Sequence, residues 1–264
     1  MTRVNDITEG NIVKALFRLA LPIMGTSFVQ MAYNMTDMFW VGRIGSRAVA
    51  AVGTAGFFTW LGAAFILISR IGAEVGVAQS VGKRDIAEAK VYIKHSIQLI
   101  VTLALIYASV LIIFRKPLIG FFNIGEPDIE NNAITYLVII SFGMVFYFIN
   151  PVFSAIFNGY GESRIPFIIN SSGLIINMIL DPLMILCIGP FPRLEVAGAA
   201  LATIIAQFCI TVIFIIKAQR TKELFTDLKL FKIPDMDRIK AIVKLGFPAG
   251  LQSGMFTIFA MSIT

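Results

Sequence analysis

Six apolar stretches follow one another along this chain, at 15–42, 48–70, 95–114, 133–157, 166–188 and 195–217, and a seventh runs over 245–264. A helix rises 1.5 Å per residue, so crossing about 30 Å of hydrocarbon takes about 20 apolar residues. In hydrocarbon every backbone N–H and C=O must be bonded inside the protein, which a helix achieves on its own. The expected fold class is therefore an all-α integral membrane protein, a six-helix transmembrane bundle plus a seventh helix. Only 14% of residues are charged, against about 25% in soluble domains. The net charge of +6 does not point to nucleic acid, because the basic residues sit between apolar runs and suit a lipid interface.

The connections at 42–47, 82–94, 115–132, 158–164, 189–194 and 218–244 are polar or turn-like. Counted by side, 17 Lys and Arg fall with the N-terminus and the second, fourth and sixth connections, and 5 fall opposite. That bias places the N-terminus and the 218–244 loop in the cytoplasm, with a plasma (inner) membrane location. No secretory signal is expected at 1–11, since the first apolar stretch is too long and lacks a small-residue cleavage site. Cys187 and Cys209 lie in or beside apolar runs without CxxC spacing, so neither a disulfide framework nor a metal site is expected. His95 is alone and is expected at a helix start near the headgroups.

An internal repeat bears on the architecture. Lys14-Ala-Leu-Phe-Arg-Leu-Ala-Leu-Pro22 aligns without gaps on Lys240-Ala-Ile-Val-Lys-Leu-Gly-Phe-Pro248, with four of nine residues identical. Six helices separate the copies, so both start on the same side, as in a parallel repeat of two lobes. The expected domains are an N-terminal six-helix lobe over 1–217, a cytoplasmic inter-lobe loop over 218–244, and the first helix of an incomplete second lobe over 245–264. The rest of the second lobe, from the same full-length chain, is then a partner of the first.

Two acids lie inside apolar segments rather than at their ends: Asp37 in the first and Asp181 in the fifth. A carboxylate at membrane depth costs several kcal/mol and marks a functional site by default. Counted from the outer ends of their segments, both lie about 8–10 Å deep. Asn177 is one turn below Asp181 on the same face. Gln30, Asn34 and Asp37 form a polar stripe on the first helix, and Thr203 falls at comparable depth on the sixth, with Gln207 one turn further in. This set suits a hard cation such as Na⁺, which wants oxygens, or a proton held where desolvation and a second like charge favour the neutral acid. The plainer reading is that both acids only reach to the outer headgroups. Pro182 is expected to kink the fifth helix, and Pro22 and Pro151 to weaken the first and fourth. Asn150, Ser154 and Asn158 form a second stripe that either lines a cavity or bonds neighbouring helices. Arg70 and Glu74 are read as a structural ion pair. The many Phe and Met residues are mostly lipid-facing or core, with a subset able to form a pliable substrate pocket.

Several motifs resemble the multidrug and toxic compound extrusion (MATE) family, of the multidrug/oligosaccharidyl-lipid/polysaccharide exporter superfamily. Leu19-Ala-Leu-Pro22 followed by Asp37 and Val41-Gly42 is similar to its first helix. Val77-Ala-Gln-Ser-Val-Gly82 with Asp85 and Ala89 resembles its loop after helix two. Asn158-Gly-Tyr-Gly-Glu-Ser-Arg164, then Pro166, resembles its Arg-Gly-x-Gly-Asp-Thr-Arg-x-Pro loop, and Asn177 to Pro182 its Asn-x-x-x-Asp-Pro segment. The resemblance implies an antiporter, not an enzyme, exporting amphiphilic or cationic small molecules in exchange for Na⁺ or H⁺, with no other cofactor. Asp37, Asn177, Asp181 and Thr203 match the first-lobe coupling site of its DinF-like branch, where Na⁺ would bind. Gln30, Asn34, Asn150, Ser154 and Gln207 are candidates for the substrate cavity. The NorM-like branch carries a Glu in the seventh helix, whereas 245–264 has no acid and the repeat-mate of Asp37 is Ile263. A lipid-linked oligosaccharide flippase of the same superfamily is disfavoured, since no Lys or Arg lies mid-membrane. A membrane-embedded enzyme is disfavoured by the lone His and the absence of a paired nucleophile and base.

Overall fold

A computed structural model describes residues 12–186, 194–226, 228, 230 and 232–263. Cys187, Arg193 and the first eleven residues lie outside the described set. The described residues hold ten helices and no strand: α1 (Ile12–Gly42), α2 (Ser46–Gly82), α3 (Ile86–Ile113), α4 (Arg115–Gly120), α5 (Pro127–Phe142), α6 (Met144–Gly159), α7 (Arg164–Ile185), α8 (Glu195–Arg220), α9 (Lys222–Phe225) and α10 (Met236–Ile263). Five of these are individually long and apolar enough to span a membrane, and α5 and α6 together make a sixth, bent span.

α2 is the organising helix, touching α1, α3, α5, α6, α8 and α10. Its 37 residues make a rod of about 55 Å, longer than the hydrocarbon, so it leaves the membrane as a helix. That is why it ends twelve residues beyond the apolar window at 48–70. α3 likewise begins at Ile86 rather than 95, because Asp85 caps it by accepting from the Glu88 N–H at 2.9 Å. The expected 82–94 connection shrinks to a tight turn. His95 therefore sits well inside α3 and is 4% exposed, a correction to its expected place at a helix start. α10 begins at Met236, so the expected 218–244 loop is shorter than drawn and contains the short helix α9.

The fourth span breaks at Gly143, not at Pro151: α5 and α6 meet at 52°. A Cβ at Gly143 would run into the Ile204 side chain of α8, so the corner is a point where that side chain packs directly on the bare backbone of Gly143. α6 continues through Pro151, α1 through Pro22 and α7 through Pro182. In α1 the Thr26 hydroxyl donates to the Pro22 carbonyl at 3.0 Å.

Apolar packing on the inner sides is tight, with Phe148, Phe157 and Phe214 wholly buried. Polar side chains supply direction to this core. Asn150 of α6 donates from Nδ2 to the Gln207 carbonyl at 2.9 Å and to Gln207 Oε1 at 2.8 Å, and the Thr211 hydroxyl donates to Asn150 Oδ1 at 2.8 Å. Between helices in lipid there is little hydrophobic drive, so such bonds fix which faces meet. Arg70 and Glu74 lie one turn apart on α2 within electrostatic reach of each other, and ion pairs in direct contact include Arg47–Glu126, Glu88–Arg238 and Asp237–Lys240.

Two outcomes follow. Gly143→Ala should destabilise the bundle by about 1–3 kcal/mol through overpacking, with part recovered by Ile204→Ala in the same chain, as read by thermal unfolding in detergent. Asn150→Leu should cost about 1–2 kcal/mol because it strips the partner from Gln207 Oε1 and leaves the Thr211 hydroxyl only the Gln207 carbonyl of its own helix. Ser154→Ala should cost less, since that hydroxyl donates to the Asn150 carbonyl of its own helix.

Candidate functional site

The turn between α1 and α2, the start of α5 and the start of α8 surround one cleft, lined by Arg47, Asp128 and Glu195, so these elements share one end of the bundle. Asp37 lies five residues before the end of α1 and Asp181 four before the end of α7. Both acids sit about 6–8 Å from the helix ends that face this side. Asp181 is shallower than its sequence segment implied, because α7 stops at Ile185.

The two acids and their neighbours come together between α1, α7 and α8. Asn177 and Asp181 are completely buried, and Asn177 Nδ2 donates to Asp181 Oδ1 at 3.0 Å, the one-turn pairing that the spacing implied. Asp37 stands within electrostatic reach of Asp181. Thr203 of α8 is 9% exposed. Three tyrosines gather beside the acids: Tyr33 lies beside Thr203 and near both carboxylates, and Tyr136 and Tyr147 lie near Tyr33. Sequence reasoning missed all three. Tyr33 was legible one turn before Asp37, whereas Tyr136 and Tyr147 lie on α5 and α6, on either side of Gly143, among apolar residues that give no cue.

The hydrogen-bond inventory of the pocket is incomplete. Tyr33 Oη, Asp37 Oδ1, Asn177 Oδ1, Asp181 Oδ2 and Thr203 Oγ1 are each buried without a partner. A buried polar atom left unpaired costs about 1–3 kcal/mol, so five in one place mark a site built to receive something. The donors are all oxygen, and among the described residues no group of three or more His, Cys, Asp and Glu gathers to hold a metal. This chemistry fits a hard monovalent cation, a proton or ordered water.

The other expected residues divide into two groups. Asn150 and Gln207 are 2% and 7% exposed and bonded to one another, and Ser154 is 8% exposed. Asn150 and Gln207 bind α6 to α8, and Ser154 accepts from Asn170 Nδ2 of α7 at 3.3 Å, so these residues bond neighbouring helices here rather than lining an open cavity. Gln30 and Asn34 are exposed on α1, in a strip that also carries exposed Met31, Met35 and Met38. By their i, i+4, i+7 spacing Gln30, Asn34 and Asp37 share one face of α1, with the two amides on its exposed margin and Asp37 half-buried.

The MatE family model matches residues 22–183, more than half of the chain. A Thermotoga maritima protein named probable multidrug resistance protein NorM is 30% identical over 246 residues, covering 93% of this chain and 53% of that protein. A FAD transporter of Shewanella oneidensis is 29% identical over 210 residues, covering 76% of this chain and 44% of that protein. A solved structure of a MOP superfamily transporter from Pyrococcus furiosus matches with a TM-score of 0.80 at 26% identity, over 96% of this chain and 55% of that one. The chain thus spans about half the length of the relatives it matches. With its all-helical bundle, its paired intramembrane acids and this family match, the chain belongs to the MATE family of the MOP superfamily.

Proposed function

We propose that this chain forms the first lobe of a secondary antiporter that exports organic, often cationic, compounds in exchange for Na⁺ or H⁺. The observation that carries the reading is the cluster of five unpartnered buried oxygens around Asp37 and Asp181. Two carboxylates in a desolvated pocket repel when both are ionised and must be compensated by a cation or a proton. Asp37, Asn177, Asp181 and Thr203 would hold the coupling ion, with Tyr33 and Tyr136 closing the pocket over it. The presence of both acids in this lobe, and the absence of an acid in 245–264, favours the DinF-like branch.

α1 packs along α7, so the charge state of Asp37 and Asp181 bears directly on how α1 sits. With the ion bound, repulsion is removed and α1 can close on α7. With the ion gone, the pocket must admit water or another positive group. The exposed face of α1, with Gln30 and Asn34 among methionines, would then meet the substrate across the space between two lobes. Methionines suit varied apolar shapes, and the two amides offer hydrogen bonds without a fixed charge. A second lobe of the full-length chain and the surrounding lipid would be its partners. The basic bias puts the N-terminus on the cytoplasmic side of the plasma (inner) membrane.

Asp37→Asn and Asp181→Asn in the full-length protein should each reduce ion-driven efflux to background while leaving membrane insertion intact. The measurement is uptake into proteoliposomes under separately imposed Na⁺ and pH gradients, with a panel of cationic dyes and FAD. Undiminished transport in both variants would remove the site assignment. Orientation is checked separately: a membrane-impermeant maleimide on intact cells should label Asn131→Cys and not Lys83→Cys, and the reverse pattern would invert the topology.

A further inference from the structure

The connection between α8 and α10 is fastened to the bundle at both ends. At its start, Leu224 is fully buried, and the Phe225 ring lies 6.3 Å from that of Phe153 and 5.7 Å from that of Phe157. Tyr160, just beyond α6, donates its hydroxyl to Glu223 Oε2 at 2.7 Å. Burial, reinforced by Glu223, raises the pKa of that phenol well above its ordinary range.

At its other end, three side chains of α3 grip the segment. Gln98 Nε2 donates to the carbonyls of Leu230 and Lys232 at 2.6 and 2.8 Å. The Asp235 N–H donates to His95 Nε2 at 3.1 Å. His95 Nδ1 lies 2.7 Å from the Val91 carbonyl and so carries the ring proton, leaving Nε2 free to accept. Glu88 pairs with Arg238 in the first turn of α10. Residues 88, 95 and 98 share one side of α3, since steps of seven and three bring the helix back to nearly the same face. Asp235 is also the residue that starts α10: its carbonyl accepts from the Ile239 N–H at 3.1 Å, and its Oδ1 from the Asp237 N–H at 3.0 Å. Beyond this grip α10 lies close on α2, where a Cβ at Gly72 or Gly250 would come within 2.7 Å of the carbonyl oxygens of Ile242 or Ala64.

A connection that served only to join two moving lobes would be slack and solvated. This one is held through backbone groups by side chains of the first lobe. We propose that Glu88, His95 and Gln98 form a latch that clamps the entry to α10 against the first lobe, keeps the cytoplasmic side closed, and releases when that side opens. The proposal rests on the exporter reading above, because only alternating access separates the lobes at this end. The three residues act by positioning: His95 and Gln98 hold backbone groups, and Glu88 holds the Arg238 side chain.

Two measurements on the full-length protein in lipid nanodiscs test it. In hydrogen exchange, the His95→Leu/Gln98→Leu double variant should speed exchange of the amides around Asp235 by about tenfold or more, with the spanning helices unchanged. His95→Gln, which keeps an acceptor, should restore part of the protection. Unchanged exchange in the double variant overturns the latch. In the second measurement, Glu88→Cys and Arg238→Cys in an otherwise cysteine-free protein are bridged with a short, cleavable bifunctional thiol reagent. The bridged protein should stop transporting, and cleavage should restore it. Transport by the bridged protein at the unbridged rate overturns the latch and leaves the exporter reading intact. No ion-driven transport in the unbridged protein overturns the exporter reading, and the gating role with it.

Discussion

Asp181 has no contact with solvent and only one partner for its two oxygens. A wholly buried carboxylate cannot stay ionised at that depth without a compensating charge, nor lose its charge without a proton. Everything near it answers to that demand. Asn177 offers one N–H and leaves its own carbonyl oxygen open. Asp37 brings a second carboxylate, which raises the cost of an empty pocket. Thr203 and Tyr33 contribute hydroxyls able either to accept from a hydrated proton or to face a cation.

The fold keeps this pocket in place by dividing labour along the bundle. At the acid end, helix contacts leave polar atoms unsatisfied. Further in, Asn150, Gln207 and Thr211 satisfy one another and join α6 to α8. The contrast separates the two kinds of buried polar residue found in membrane proteins: amides that have met their partners act as fasteners, and carboxylates that have not act as receptors. The same contrast explains why Asn150, Ser154 and Gln207, though polar and mid-membrane, are not part of an open cavity.

Most of the architecture could be read from hydropathy, because each span must hide its backbone in apolar residues. The reading failed where a helix continued without that requirement. α2 runs on to Gly82 and α3 starts at Ile86, where packing and an Asp cap sustain the helix outside the apolar window. The pair Asp85 and Glu88 has the spacing of a helix-start box and carried this information. α10 starts at Met236 for a similar reason. Within the site, Asp37, Asn177, Asp181 and Thr203 were visible as polar residues out of place, and i, i+4 spacing placed Asn177 beside Asp181. Tyr136 and Tyr147 were hidden, since an aromatic residue in a spanning helix is unremarkable until tertiary packing aims it. Gly143 gave no cue in a continuous apolar run, because its importance lies in what α8 presents to it.

The corner at Gly143 has a geometric effect out of proportion to its size. α5 is 16 residues long, about 24 Å, and it leaves the axis of α6 at 52°. Straightening the pair would swing the far tip of α5 sideways by about 19 Å. That sweep would carry Tyr136 away from the acids and pull Glu126 off Arg47. The corner thus keeps Tyr136 near the acids and Glu126 on Arg47, in a place where α8 leaves room for a bare backbone.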